Sequence, residues 1–187
     1  MKGQTLSFDG KTICSTSRME RYENPLHIVS AQVSALGLTF GQEAVEGKSN
    51  EIPAAQRLIK MLRLSGCVVI ADALNCQKET ASAIIGQGAD YVLNVKDNQP
   101  NLKKDIADYV QNEQLRKTMD MATTCEKSRE RIEQRAAFVT SDIDWLDFNA
   151  DWANLRCIGA VNTKFSVKGE TSNEWHYYIS SKSLTAE

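Results

Sequence analysis

The sequence predicts an α/β fold, in which a mixed β-sheet with flanking helices is followed by a β-rich region. Polar and apolar residues alternate over three segments in the first 45 residues, which is typical of half-buried strands. Helical and continuously apolar segments then follow one another, as in a sheet with crossover helices. Alternation returns after about residue 124. We therefore expect a core over residues 1–120 and a β-rich region over residues 121–187.

The three N-terminal strands are predicted from alternation and from glycine breaks. Residues 5–10 form a short alternating segment that ends at a glycine. Residues 26–35 alternate over a longer stretch, residues 36–37 interrupt it, and residues 38–45 resume it. Two alternating segments around a glycine indicate a hairpin.

The period changes after residue 48. Ser49-Asn50 is a candidate N-cap with Pro53 in the first turn, and the apolar residues that follow have helical spacing. Residues 67–72 form a short apolar run that ends in an acid and shows no alternation, which predicts a strand buried on both faces. A helix over residues 78–87, a buried strand over residues 91–95 and a helix opening at residues 98–100 follow. Three further strands are expected, over residues 131–140, 158–167 and 175–180.

Length and composition exclude several classes of protein. A chain of 187 residues with 42% apolar content is long enough for one compact domain with a small appended lobe. It contains no run of about 20 apolar residues, and its N-terminus has no apolar signal segment. We therefore expect a cytoplasmic protein without a membrane span. The five cysteines include no CxxC pair, which disfavours a zinc site or a disulfide framework.

The charge balance gives no support for strong phosphate binding by the whole chain. The formal net charge is -2, whereas a self-sufficient DNA-binding domain usually carries a basic stripe. Basic residues cluster at residues 60–63 and 127–135. Such a run is more often a solvated face than a binding site.

Two aspartates occupy positions where metal chemistry could occur. Asp9 is expected at the end of the first strand, and Asp72 directly follows the buried apolar run. Ligand sites in open sheets gather at strand ends. Neighbouring carboxylates repel each other unless a cation lies between them, and Mg²⁺ and Mn²⁺ prefer oxygen ligands. An aspartate before a glycine is, however, usually a turn residue, so Asp72 is the stronger candidate.

Several ordered blocks resemble the H-repeat-associated transposases of bacterial insertion sequences, which belong to the DDE superfamily. Five blocks occur in the family's order and spacing, and shorter matches extend nearly to the end of the chain. The five blocks are residues 9–12, 27–31, 48–52, 70–78 and 88–93. The shorter matches are Lys96 with residues 98–99, residues 131–133 with Arg135, and residues 177–181.

This resemblance implies a ribonuclease H-like catalytic core with a β-rich insertion. It also implies two divalent metal ions, Mg²⁺ or Mn²⁺, and cleavage and rejoining of DNA at transposon ends. By position, Asp9 and Asp72 resemble the first two catalytic, metal-binding carboxylates. The matching blocks imply DNA contacts from four basic residues, namely Lys11, Lys96, Arg131 and Arg135.

The departures from the family pattern predict an inactive protein. The family's third catalytic acid is the glutamate of a histidine-tryptophan-x-isoleucine-glutamate-asparagine motif, and this motif is absent before Glu187. The helper region that precedes the first aspartate in the family is also missing. We therefore expect an incomplete, truncated transposase core.

Two other functions remain open at this stage. The first is a non-catalytic module that binds DNA or a transposase through Lys127, Arg129, Arg131 and Arg135. The second is a residual nuclease that recruits Glu51 or Glu133 as its third acid. Glu51 is otherwise explained as a charge at a helix N-terminus. An incomplete sheet would also expose an apolar patch, so we expect a homodimer or larger assembly.

Overall fold

The computed structural model describes residues 3–13, 26–33, 37–45, 51–128, 131–147, 149–167 and 170–187. The chain divides into two compact units, Met1–Leu93 and Asn94–Glu187. Both units contain helices and β-strands, so the predicted α/β class is confirmed. No helix in the described ranges is long and apolar enough to cross a membrane.

The first unit contains a mixed sheet with the strand order β3-β2-β1-β4-β5. Strand β1 pairs antiparallel with β2 and parallel with β4, and β4 pairs parallel with β5. Its strands are β1 (Thr5–Ile13), β2 (Leu26–Val33), β3 (Leu38–Val45), β4 (Val68–Ala71) and β5 (Asp90–Val95), the last of which spans the division between the units. Its helices are α1 (Glu51–Met61) and α2 (Lys78–Gly86), with a 3-10 turn at Ala73–Asn75.

The core of the first unit lies on one face of this sheet. Leu6 and Phe8 of β1 are buried, and so are their β2 partners Val33 and Ala31. Helix α1 covers this face with a row of buried apolar side chains. The row consists of Ala54, Ala55, Leu58 and Ile59. Gly41 permits the close approach of α1 to β3, because a Cβ at that position would lie 2.9 Å from Cδ1 of Leu58.

The second unit contains an antiparallel sheet with the strand order β9-β8-β7-β6. Helix α3 packs against β8 and β9. Its strands are β6 (Asp120–Ser128), β7 (Arg131–Thr140), β8 (Cys157–Val167) and β9 (Glu170–Ser180). Its helices are α3 (Pro100–Gln111) and α4 (Glu113–Arg116), with a 3-10 turn at Asn149–Asp151. The buried side of α3 consists of Leu102, Ile106, Tyr109 and Val110, as its spacing predicted.

Several local predictions need correction. Strand β1 continues to Ile13, so Asp9 lies inside the strand and does not end it. The predictions omitted β6 and α4, and β9 begins at Glu170 although we expected a start at residue 175. The candidate N-cap at residues 49–50 lies outside the described residues.

The prediction that β4 is buried on both faces is wrong. Val69 and Ala71 are buried, but Ile70 between them is 42% exposed. The physical reason is that helix α1 covers only the face to which Val69 and Ala71 belong. An apolar run therefore marked a strand with one covered face, and the exposed face is the one that carries the acidic residues described below.

Candidate active site

The structure brings Asp9 and Asp72 to neighbouring strands. Strands β1 and β4 are parallel, and the last pair of their ladder is Phe8 with Ala71. Asp9 and Asp72 are the next residue of each chain segment. Because hydrogen-bonded strands lie about 4.8 Å apart, the two aspartates follow the ladder side by side.

Asp9 belongs to the face of the sheet that α1 does not cover, and continued alternation past Ala71 predicts the same face for Asp72. Side chains alternate between faces along a strand, so Asp9 points away from the face that buries Phe8. The side chains of Asp9 and Asp72 are both exposed. Ser30 is the antiparallel partner of Asp9, and its hydroxyl donates a hydrogen bond of 3.4 Å to the Asp9 backbone carbonyl.

The backbone around Asp72 fixes the direction of its side chain. Asp72 is the N-cap of the 3-10 turn Ala73–Asn75, with φ -70° and ψ 176°. Its Oδ1 accepts hydrogen bonds from the backbone N–H of Asn75, at 3.3 Å, and from Asn75 Nδ2, at 3.1 Å. The cap satisfies a backbone donor that a short turn would otherwise leave unpaired.

Glu51 lies on the other face of β1. It is in the first turn of α1 and only 4% exposed. A Cβ built on Gly10 would overlap the Glu51 carboxylate, so the carboxylate fills the space beside Gly10. Since Gly10 and Asp9 face opposite sides of the strand, Glu51 points away from the exposed pair.

The exposed pair suits part of a divalent-metal shell. Mg²⁺ is usually held by one or two protein carboxylates together with waters and substrate phosphate oxygens, and two adjacent, exposed carboxylates match that donor set. Among the described residues, no group of three histidine, cysteine, aspartate or glutamate side chains is arranged to hold a metal. Asp9 and Asp72 are therefore a candidate pair of ligands, and no third such side chain among the described residues joins them.

The four expected DNA-binding residues have different surroundings. Lys11 and Lys96 are exposed. Arg135 forms ion pairs with Glu133 and, at 3.6 Å, with Glu126, so two carboxylates partly neutralise it. Arg131 begins β7, and its side chain lies outside the described residues.

The second unit carries an acidic groove that the sequence did not predict. Its volume is about 710 Å³, and one wall is the stacked pair of Tyr109 and Trp145, with ring centroids 4.6 Å apart. The Tyr109 hydroxyl donates a hydrogen bond of 3.2 Å to Asp142. Five aspartates line this acidic groove: Asp105, Asp108, Asp142, Asp144 and Asp147. DNA phosphates would be repelled there.

Cys76 follows the Asp72 turn but is not a nucleophile. Its side chain is fully buried, and desolvation of the thiolate raises the pKa of the thiol to about 12. The thiol therefore stays protonated at neutral pH, and only the thiolate is strongly nucleophilic.

Comparison with known families shows the family to which the chain belongs. The family described as "Transposase DDE domain" matches residues 8–187. The chain belongs to this family. The matched region begins one residue before Asp9 and includes both compact units.

Curated relatives of this DDE transposase domain include proteins of Xanthobacter autotrophicus and Escherichia coli. An uncharacterised protein in the dhlA 3' region of Xanthobacter autotrophicus is 34% identical over 94% of the chain and 59% of its own length. The putative protein YbfL of Escherichia coli K12 is 35% identical over 97% of the chain and 50% of its own length. The H repeat-associated putative transposase YhhI of the same strain is 34% identical over the same shares. The chain thus spans about half the length of the E. coli relatives it matches.

Sequence reasoning missed Asn75 and the acidic groove of this DDE transposase domain. Asn75 stands three residues after Asp72, which is the spacing at which a short turn returns a side chain to its N-cap. The groove has no comparable signal, because its aspartates come from α3 and from the segment after β7.

Proposed function

We propose that this chain supplies the first two metal-binding carboxylates, Asp9 and Asp72, of a transposase that cleaves and rejoins DNA at transposon ends. The observation that carries the proposal is the position of the two acids, which follow one parallel ladder on one exposed face. Membership of the DDE transposase family supports DNA as the substrate. Transposon DNA in bacteria lies in the cytoplasm, where the protein would act.

Mg²⁺ or Mn²⁺ would be held by Asp9 and Asp72. Divalent metal bound there would supply Lewis-acid activation of the attacking oxygen and stabilisation of the leaving oxygen of the phosphodiester. The protein contributes charge and position: two exposed carboxylates attract the cation and leave its outer side open to phosphate oxygens. Exposed basic side chains, including Lys11 and Lys96, would contact the DNA backbone.

We further propose that the 187-residue chain alone binds metal but does not cleave DNA. Among the described residues, no third carboxylate joins Asp9 and Asp72, and Glu51 points to the other face of β1. A metal-bound acid commonly contributes several kcal/mol to transition-state stabilisation. With two carboxylates in place of three, we expect a cleavage rate lower by at least about 10³-fold.

The first test is calorimetric titration of Mn²⁺ into the purified chain. We expect one site whose affinity falls at least about 10-fold in Asp72→Asn and in Asp9→Asn, because each change removes a charged ligand. Asp144→Asn is the matched control, since Asp144 is also exposed but lines the acidic groove. Equal loss of binding in the control and in Asp72→Asn would contradict the proposed site.

Nicking of supercoiled DNA in Mn²⁺ separates the inactive protein from a residual nuclease. We expect the plasmid to remain intact with the wild-type chain. If the wild type nicks DNA and Asp72→Asn does not, a further carboxylate completes the site and the protein is an active nuclease.

We also propose that the chain forms a homo-oligomer through the exposed face of the first unit. Ile70 is 42% exposed, and its ladder neighbours on that face include the partly exposed Val92. Apolar side chains in the middle of a sheet face are usually covered by another element. A second copy of this chain would cover Ile70 and Val92, and would leave Asp9 and Asp72, which follow the last pair of the ladder, open to metal and DNA.

A further inference from the structure

We propose that Asn75 is a positioning residue, whose side-chain amide and backbone N–H together hold Oδ1 of Asp72 and so present Oδ2 to a divalent cation. The inference deepens the proposed function and rests on it, because the cation is the one that Asp9 and Asp72 would bind. Asn75 itself does not touch the cation.

The first support is the geometry of the Asp72 carboxylate. Both hydrogen bonds that the carboxylate accepts from described residues end on Oδ1, at 3.1 Å from Asn75 Nδ2 and at 3.3 Å from Asn75 N. Two donors on one oxygen fix both the rotamer and the plane of a carboxylate. The other oxygen, Oδ2, has no donor among the described residues, and the side chain is exposed.

The second support is the burial of Asn75. Its side chain is 1% exposed, and its Oδ1 has no hydrogen-bond partner among the described residues. Burying an unpaired amide oxygen destabilises a fold, so an apolar residue would suit this position better for stability alone. What the amide adds is its Nδ2 donor, and that donor is directed to Asp72.

The third support is the rigidity of the surroundings. Asn75 ends a 3-10 turn that starts immediately after Asp72, and its backbone N–H also approaches the Asp72 carbonyl at 3.2 Å. Cys76 follows and is fully buried. The buried Asn75 donor therefore orients the exposed carboxylate of Asp72. Residues that hydrogen-bond to metal ligands commonly orient those ligands in this way.

The test compares Asn75→Leu with the wild type in Mn²⁺ affinity and in thermal stability. Leucine has the same γ-branched shape, removes the donor and removes the unpaired oxygen. We expect Mn²⁺ affinity to fall about 10-fold or more, as is typical when a support of a metal ligand is lost, while the unfolding temperature is maintained or raised. Asn75→Ala serves as a second variant if the larger leucine prevents folding.

The matched control is Asn162→Leu. Asn162 is a buried amide of β8, 7% exposed, whose Nδ2 donates to Asn173 at 2.5 Å. We expect this variant to lose stability and to keep the Mn²⁺ affinity of the wild type. A fall in unfolding temperature without a fall in Mn²⁺ affinity in Asn75→Leu would show that Asn75 is merely structural, which overturns the inference.

A measurement without metal separates this inference from the proposed function. Three-bond couplings of Asp72 in solution NMR report its χ1 rotamer, which we expect to be single in the wild type and averaged in Asn75→Leu. An unchanged rotamer population in Asn75→Leu would overturn the positioning role. If the rotamer becomes averaged in Asn75→Leu but the wild type binds no Mn²⁺, the proposed metal site is contradicted. The same result supports the role of Asn75 in fixing the Asp72 rotamer.

Discussion

At the scale of single residues, the candidate site depends on which face of β1 each side chain occupies. Asp9 is exposed on one face, whereas Gly10 contacts the buried carboxylate of Glu51 on the other. Gly10 therefore has a steric role that is separate from any turn. The missing side chain of Gly10 leaves room for Glu51, the first residue of α1. The negative charge of Glu51 near the N-terminus of α1 stabilises the helix through its dipole.

The substitution Gly10→Ala should destabilise the first unit. The added methyl group would overlap the Glu51 carboxylate, which is the end of a flexible side chain that is only 4% exposed. Because the carboxylate can shift only within a packed space, we expect a cost of about 1 kcal/mol, the lower end for overpacking. The free energy of unfolding from urea titration is the measurement. Gly86→Ala is the control, because a Cβ there meets nothing within 4 Å. In a Glu51→Ala background the cost of Gly10→Ala should largely disappear, and an undiminished cost would contradict the assigned contact.

The cysteines should differ sharply in reactivity. Burial raises the pKa of the Cys76 thiol to about 12, whereas Cys125 is exposed. Iodoacetamide at pH 8 should label Cys125 in the native protein and Cys76 only after unfolding, as read by peptide mass spectrometry. Rapid native labelling of Cys76 would show that the turn after Asp72 opens.

The stability of the fold should also depend on pH through Cys76. The thiol loses its proton near pH 9 in the unfolded chain and near 12 in the folded chain. The stabilisation from this group is therefore full below pH 9 and is lost as the pH rises towards 12.

At the scale of elements, α3 links the acidic groove of the second unit to the core of that unit. One side of the helix buries Ile106 against β8 and β9, and the other supplies Asp105 and Asp108 to the acidic groove. The stack of Tyr109 on Trp145 anchors the segment after β7 to the same helix. The shape of the groove therefore depends on the packing of α3.

The substitution Ile106→Ala should destabilise the protein by about 2–5 kcal/mol, because it leaves a cavity where the side chain is fully buried. Thermal unfolding with tryptophan fluorescence measures this, since Trp145 reports on the α3 surface. Lys104→Ala changes an exposed position of the same helix and should alter stability by less than about 0.5 kcal/mol. Similar effects of both substitutions would mean that α3 is not packed as described.

At the scale of the whole molecule, charge and exposed apolar surface point to different partners. The net charge of -2 and the five-aspartate groove do not favour DNA, so phosphate contacts would depend on separate basic side chains. Exposed Ile70 on the Asp72 face favours contact with protein. The proposed binding of DNA would therefore be weak for this chain alone and strongly dependent on salt.

Self-association is the prediction at this scale. Sizing with light scattering should give a mass above 20.8 kDa at micromolar concentration. Ile70→Thr should shift the population to the monomer, because it removes apolar area from the exposed face. Met61→Thr is the control, since Met61 is 78% exposed but belongs to α1 on the other side of the sheet. A strictly monomeric wild type would contradict the proposed assembly.

The sequence by itself determined the α/β class, the order of most elements and the family. Alternation and helical spacing are local properties, so they located β1–β5, α1–α3 and the buried side of α3. Ordered blocks indicated the transposase family, which the match over residues 8–187 confirms. The bounds were less accurate at β1 and β9, where pairing with a neighbouring strand extends each strand beyond its alternating segment.

Only the tertiary structure decided which acids share a surface. Asp9 and Asp72 are 63 positions apart in the sequence, and the parallel register of β1 with β4 brings them to adjacent positions. The packing of α1 beside Gly10 puts Glu51 on the opposite face of β1, although the sequence left it open as a third acid. Periodicity describes one element at a time, whereas the partner of a strand and the face of an acid depend on contacts between residues that are distant along the chain.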